Sequence, residues 1–163
     1  MRRFLPAGVL LALIALTPVV RAAGQVEVSF TSVDQLADAG RGSVERERTT
    51  KALAAHFKSL AAKLPDGRTL AVEVIDVNLA GDLRQTRRGD EVRVLKGGAD
   101  WPTLDLRWTL TGDGRTLASG QDRLSDMGYL QHPLRGGHDG AYAYETRLID
   151  RWFDERFGPA AAR

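Results

Sequence analysis

The chain has no cysteine among its 163 residues, so disulfides, thiolate-bound metals and a lipid-modified cysteine are excluded. It also lacks long apolar runs beyond its first two dozen residues, MRRFLPAGVLLALIALTPVVRAAGQ. Arg2 and Arg3 open that stretch, residues 4–20 are almost wholly apolar, and Val20 and Ala22 put small side chains where a signal peptidase reads. The run is about 17 residues long and contains Pro6 and Pro18, which is the short limit of a bilayer span. A secretory signal over residues 1–22 is therefore expected, cut at Ala22, Ala23 or Gly24. The mature protein would be periplasmic, with no membrane span after cleavage. A surplus of one charge is missing too. Of 23 Lys/Arg, Arg2, Arg3 and Arg21 leave with the signal, so 20 face 21 Asp/Glu. The signs are interspersed without a basic stripe, and no nucleic acid is expected as a partner.

What remains suits one domain, residues 23–158, followed by a short tail, residues 159–163. Residues 25–30, QVEVSF, alternate as a strand with one buried face. Ser43 is a plausible helix cap, with Glu45 and Glu47 complementing the first turn. Leu53, Phe57, Leu60 and Leu64 then recur at helical spacing until Pro65-Asp66-Gly67. His56 flanks that seam as a boundary histidine. In residues 70–79, LAVEVIDVNL, the apolar phase changes, which predicts a bulge at residues 74–76. Residues 80–91 read as a polar, solvated excursion, and residues 92–95 as a short edge strand. Residues 104–110 alternate most clearly of all. Gly112-Asp113-Gly114 turns them into a polar partner, residues 116–125, expected near an edge. Asp139 would cap a last helix whose Leu148, Ile149, Trp152, Phe153 and Phe157 make a broad apolar face. The order strand, helix, strands, helix predicts an α+β fold: an antiparallel sheet of about four to five strands with two helices on one face.

Catalytic signatures are scarce. Gly97-Gly98 lies before a strand instead of a helix and lacks the Lys-Ser/Thr ending of a phosphate cradle, so KGGADWP reads as the lead-in to a strand. Metalloprotease, nucleophile-elbow and P-loop patterns are absent. The segments VEVIDVNLAG, VRVLKGGADWP, LDLRWTL, SGQDRLSDMGYL and RLIDRWFDERFG, in this order, resemble a secreted proteobacterial family catalogued only as a domain of unknown function. The resemblance spans nearly all the mature chain, and GGADWP and LSDM are its most specific parts. It implies a periplasmic setting and no activity, substrate or site residue.

Three constellations carry the functional expectation. Asp76, Asp100 and Asp126 would serve a small metal-dependent hydrolase if they gathered in a cleft. His132, His138 and Asp139 share a glycine-bearing loop suited only to adventitious zinc. Arg93, Asp100, Trp101, Arg123, Asp126 and Tyr129, with Tyr142, Tyr144 and Arg147 nearby, combine the residue types that dominate binding hot spots. The favoured reading is a non-catalytic binding or envelope-associated accessory domain without cofactor or metal. Its ligand would be an envelope protein, a peptide or a glycan, and the metal-dependent hydrolase is the alternative.

Overall fold

The computed structural model describes residues 23–33, 36, 38–89, 91–132, 134 and 140–158, with residues 83 and 91 described by their backbone alone. Strand β1 (Gln25–Phe30) leads to helix α1 (Ser43–Ser59), which tightens into a 3₁₀ turn at Leu60–Lys63. Strands β2 (Arg68–Asn78), β3 (Asp82–Gln85), β4 (Glu91–Val94), β5 (Thr103–Gly112) and β6 (Arg115–Ser125) follow, and helix α2 (Ala143–Phe157) closes the order. Gly42, not Ser43, holds the cap position of α1, and no side chain caps it. The expected cap of α2, Asp139, lies outside the described residues. Among the described residues no helix is long and apolar enough to cross a membrane.

The fold is α+β, with a four-stranded sheet ordered β1-β2-β5-β6 and a separate two-stranded sheet of β3 and β4. The main sheet is mixed where an antiparallel one was expected, because β1 runs parallel to β2. The helix between them is the cause: a crossover returns the chain to the same end of the sheet, so the next strand runs the same way. The bulge falls where the phase change put it, between Val74 and Asp76. Residues 80–91 are not a solvated excursion throughout. Asp82–Gln85 pairs antiparallel with Glu91–Val94, so the predicted edge strand belongs to a hairpin outside the main sheet. The β5–β6 turn matches expectation: Asp113 and Gly114 both have positive φ, 51° and 72°, as a two-residue hairpin turn of matching twist requires. Polar β6 lies at an edge.

One face of the sheet carries the core. Leu70, Val72, Val74 and Val77 of β2 and Leu104, Leu106 and Trp108 of β5 pack with Val26 and Leu124. Against them lie Leu53 and Phe57 of α1, Leu60 and Leu64 just after it, and Leu148, Ile149, Trp152 and Phe153 of α2. Phe57 meets Trp152 edge-on at 6.0 Å, and His56 Nε2 lies 2.8 Å from the Asp150 carboxylate, tying α1 to α2. His56 is thus the boundary residue the helical spacing implied.

Candidate functional site

The most built-up polar region surrounds the first turn of α2. Glu145 follows the helical spacing of Leu148, Ile149 and Trp152, so it projects inward and is fully buried. An isolated carboxylate there would cost several kcal/mol. Arg93 of β4 answers it with a fork: Nη2 donates to Oε1 at 2.6 Å and Nη1 to Oε2 at 3.2 Å. The Ala80 N–H adds a third bond at 3.1 Å, and Arg93 Nη1 also donates to the Ala141 carbonyl at 2.5 Å. The hairpin β3–β4 is thereby fastened to the start of α2 by a charge-assisted, bidentate pair. Beside it Thr49 of α1 donates to the Tyr142 hydroxyl at 3.2 Å.

These fastenings frame a cleft of about 450 Å³ between α1, β4 and the lead-in to α2. Leu79, Ala141 and Tyr142 supply apolar surface, and Glu45, Arg48 and Arg93 supply charge. The volume falls within the usual range of ligand pockets, about 300–1,000 Å³. Arg48 is exposed. Glu45, by contrast, is partly held: one oxygen accepts the Arg41 N–H at 2.7 Å, while Oε1 is shielded from solvent without a partner among the described residues.

A small recess adjoins the cleft, sharing Glu45, Leu79 and Arg93 and adding Asp38, Arg41, Gly81 and Asp82. Burial raises the Asp38 carboxyl above its usual range, and the charges of Asp82, Asp100 and Glu45 push the same way against Arg41. Asp82 goes the other way: the hydrogen bond from Lys96 lowers it, against a burial effect. Gly81 has φ +81°, and a side chain there would strike the Val94 carbonyl, so only glycine lets the chain entering β3 pass this close to the end of β4.

Arg93 is therefore in the cleft wall, and Asp100 is near its recess. Asp100 Oδ2 accepts the Gly81 N–H at 2.5 Å, so it serves a backbone group across the fold. Trp101 is half-buried, and Pro102 is buried at the start of β5. Tyr129 is fully buried. Its hydroxyl accepts the Gly97 N–H at 3.2 Å, and its ring meets Tyr144 edge-on at 4.8 Å. Asp126 is buried and accepts from Arg147 at 2.9 Å; Arg147 also donates to the carbonyls of Tyr129 and His132. Arg123 lies on the opposite face of the sheet, 3.7 Å from Asp105.

The three aspartates of the hydrolase reading do not converge on a metal. Asp76 accepts its neighbour Val77 N–H at 2.9 Å, Asp100 takes Gly81 and Asp126 takes Arg147. Among the described residues no group of three or more His, Asp or Glu is placed to hold a metal ion. His138 and Asp139 lie outside the described residues. Glu145, Asp38, Glu45 and Arg48 were missed from the sequence. Only Glu145 carried a local signal, its place on the apolar face of α2.

The chain belongs to the family described as Protein of unknown function (DUF3016), whose pattern matches residues 24–155. No curated protein and no solved structure matches it.

Proposed function

We propose that this member of the DUF3016 family is a secreted, periplasmic, non-catalytic binding domain whose ligand-facing surface is the cleft between α1, β4 and the lead-in to α2. The observation that carries the reading is the Arg93–Glu145 pair. A fully buried carboxylate and its arginine fix the cleft wall, so the roughly 450 Å³ space beside them is held in shape before anything binds. Its mixture of an aromatic ring, aliphatic surface and exposed charge suits a peptide segment of an envelope protein. A glycan is the lesser alternative. The hydrolase reading has no comparable support, because its aspartates are each committed to a different hydrogen-bond partner: Val77, Gly81 and Arg147.

The test is affinity capture from envelope extract with the mature domain, comparing wild type with the double variant Arg48→Glu, Tyr142→Ala. A specific protein held by the wild type and lost by the variant, with unchanged circular dichroism, is the expected result. Equal capture by both contradicts the assignment. Secretion is tested by N-terminal sequencing of the periplasmic fraction: a start near Ala23 is expected, and an intact Met1 form in the inner membrane contradicts it.

A further inference from the structure

Glu45, Arg48 and Thr49 share one face of α1, all within a single helical turn of about 5.4 Å. Thr49 is fully buried, and its hydroxyl donates to that of Tyr142 at 3.2 Å, which pins the tyrosine over this turn. The Tyr142 oxygen accepts there, so its own proton is left for a partner in the cleft. Arg48 is exposed and makes no ion pair or hydrogen bond with a described residue. Glu45 Oε1 is shielded from solvent and has no partner among the described residues either. Arg93, by contrast, is already engaged by Glu145 and the Ala141 carbonyl. One turn of helix thus offers two donors and one acceptor that the fold itself does not use.

These groups have a direction. Arg48, Thr49 and Tyr142 line the cleft and not the recess, Asp38 and Asp82 line the recess and not the cleft, and Glu45 borders both. Donors therefore stand at one end and the acceptor at the other. We infer that the cleft takes the free C-terminus of a peptide. Its α-carboxylate lies between Arg48 and the Tyr142 hydroxyl, its last backbone N–H on Glu45 Oε1, and an apolar last side chain against Leu79 and Ala141. This assignment rests on the cleft being the ligand-facing surface proposed above. A carboxylate and the N–H of the same residue are joined through one Cα. Two hydrogen bonds of about 2.9 Å then reach protein groups roughly a helical turn apart.

Other ligand groups match less well. A lone ammonium would satisfy Glu45 and leave Arg48 and the Tyr142 proton without partners. An acidic side chain carries its carboxylate one or two carbons farther from its own N–H. A free amino acid has both groups but leaves much of the roughly 450 Å³ unfilled. An arginine and a hydroxyl converging on one carboxylate form charge-assisted bonds, a recurring way of holding a peptide C-terminus. Because Arg48 is exposed, salt screens its part of the attraction. The N–H on Glu45 adds to it by satisfying an oxygen that the free protein leaves unpaired.

Amide NMR titration of the mature domain tests it. The probes are N-acetylated tetrapeptides with three alanines before a last Ala, Val, Leu or Phe, each as the free acid and as the C-terminal amide, and free leucine. At least one free acid is expected to bind saturably, with its amide and leucine about tenfold weaker or worse. Arg48→Gln and Tyr142→Phe should each weaken the acid about tenfold and leave the amide nearly unchanged, which a mere change in the cleft's shape would not do. An amide that binds as tightly as its acid, with both lost in the Arg48→Glu, Tyr142→Ala double variant, overturns the C-terminus assignment and leaves the cleft standing. Peptides that bind the double variant as well as the wild type overturn both. Leucine binding as tightly as the acids, or no saturable binding of any free acid to the wild type, overturns the inference.

Discussion

The two ends of α2 solve one problem in two ways. At its C-terminal end Asp122 of β6 accepts the indole N–H of Trp108 at 2.7 Å and of Trp152 at 2.9 Å, and Arg156 closes on its other oxygen. Phe157 lies edge-on to both indoles, at 5.2 and 5.4 Å, and Gly120 leaves room for the Trp108 ring against β6. At the N-terminal end Glu145 takes its main donor from a separate hairpin, and a cleft remains beside the pair. Both carboxylates leave bulk water and need donors in exchange. One draws aromatic rings together; the other positions a wall. The difference teaches that buried charge in this fold is not itself a functional mark. What singles out the N-terminal end is the space left next to it.

The largest expected effect is at Glu145. Glu145→Ala strands the Arg93 guanidinium and the Ala80 N–H, and should cost about 3–5 kcal/mol in urea unfolding. Replacing both partners, Glu145→Leu with Arg93→Met, should recover much of that loss, because no charge is left unpaired. Asp122→Ala removes one acceptor from two indoles and an arginine at a less buried site, and should cost about 1–3 kcal/mol. A larger loss at Asp122 than at Glu145 would break the comparison. Asp100→Ala frees the Gly81 N–H and should cost about 0.5–1.5 kcal/mol, as the loss of one part-buried hydrogen bond does. The result is to be measured with and without Ca²⁺, Mg²⁺ and Zn²⁺; a wild type stabilised by a metal that the variant ignores would restore the hydrolase reading.

Acid separates the two ends by sign. Burial pushes Asp122 up, but hydrogen bonds from Trp152, Trp108 and Arg156 and the Arg156 charge outweigh it, so its carboxyl titrates below the usual range. Its stabilisation is present above the unfolded value, about 3.9, and is lost as pH falls through the folded one. Asp38 beside the cleft is raised by burial and by its acidic neighbours. Its ionised form therefore destabilises the fold above the raised value, and acid relieves that cost down to about pH 4. Asp38→Asn should stabilise the protein at neutral pH and Asp122→Asn should weaken it. Both differences should shrink in unfolding curves taken down to about pH 3, the Asp38 difference first.

Where a side chain's partner lies on the same element or the next one, the sequence carries it. The β5–β6 hairpin follows from alternation and Asp113-Gly114, and the bulge from the phase change around Ile75. Glu145 was readable in the same way, as a carboxylate spaced with Leu148, Ile149 and Trp152, but its partner Arg93 lies 52 residues away. Hairpin β3–β4 was hidden because Arg84 and Gln85 are exposed and its pairing leaves no apolar period. Asp38 reaches the recess through a lone bridge to Asn78 that no spacing announces. Arg123 was grouped with Arg93 by residue type alone. Alternation along β6 puts it opposite Leu124, with Ser119 and Gln121 on the far face, where the register pairs it with Asp105.

The central claim is that the open N-terminal end of α2 contacts a partner and the packed C-terminal end does not. Site-specific photo-crosslinking in producing cells addresses it directly, with a photoreactive residue replacing exposed Arg48 at the cleft or exposed Glu155 at the other end of α2. A discrete crosslinked product at position 48, absent at position 155 and abolished by adding Tyr142→Ala, is the predicted result. The same product at both positions, or a product at position 155 alone, would contradict the account.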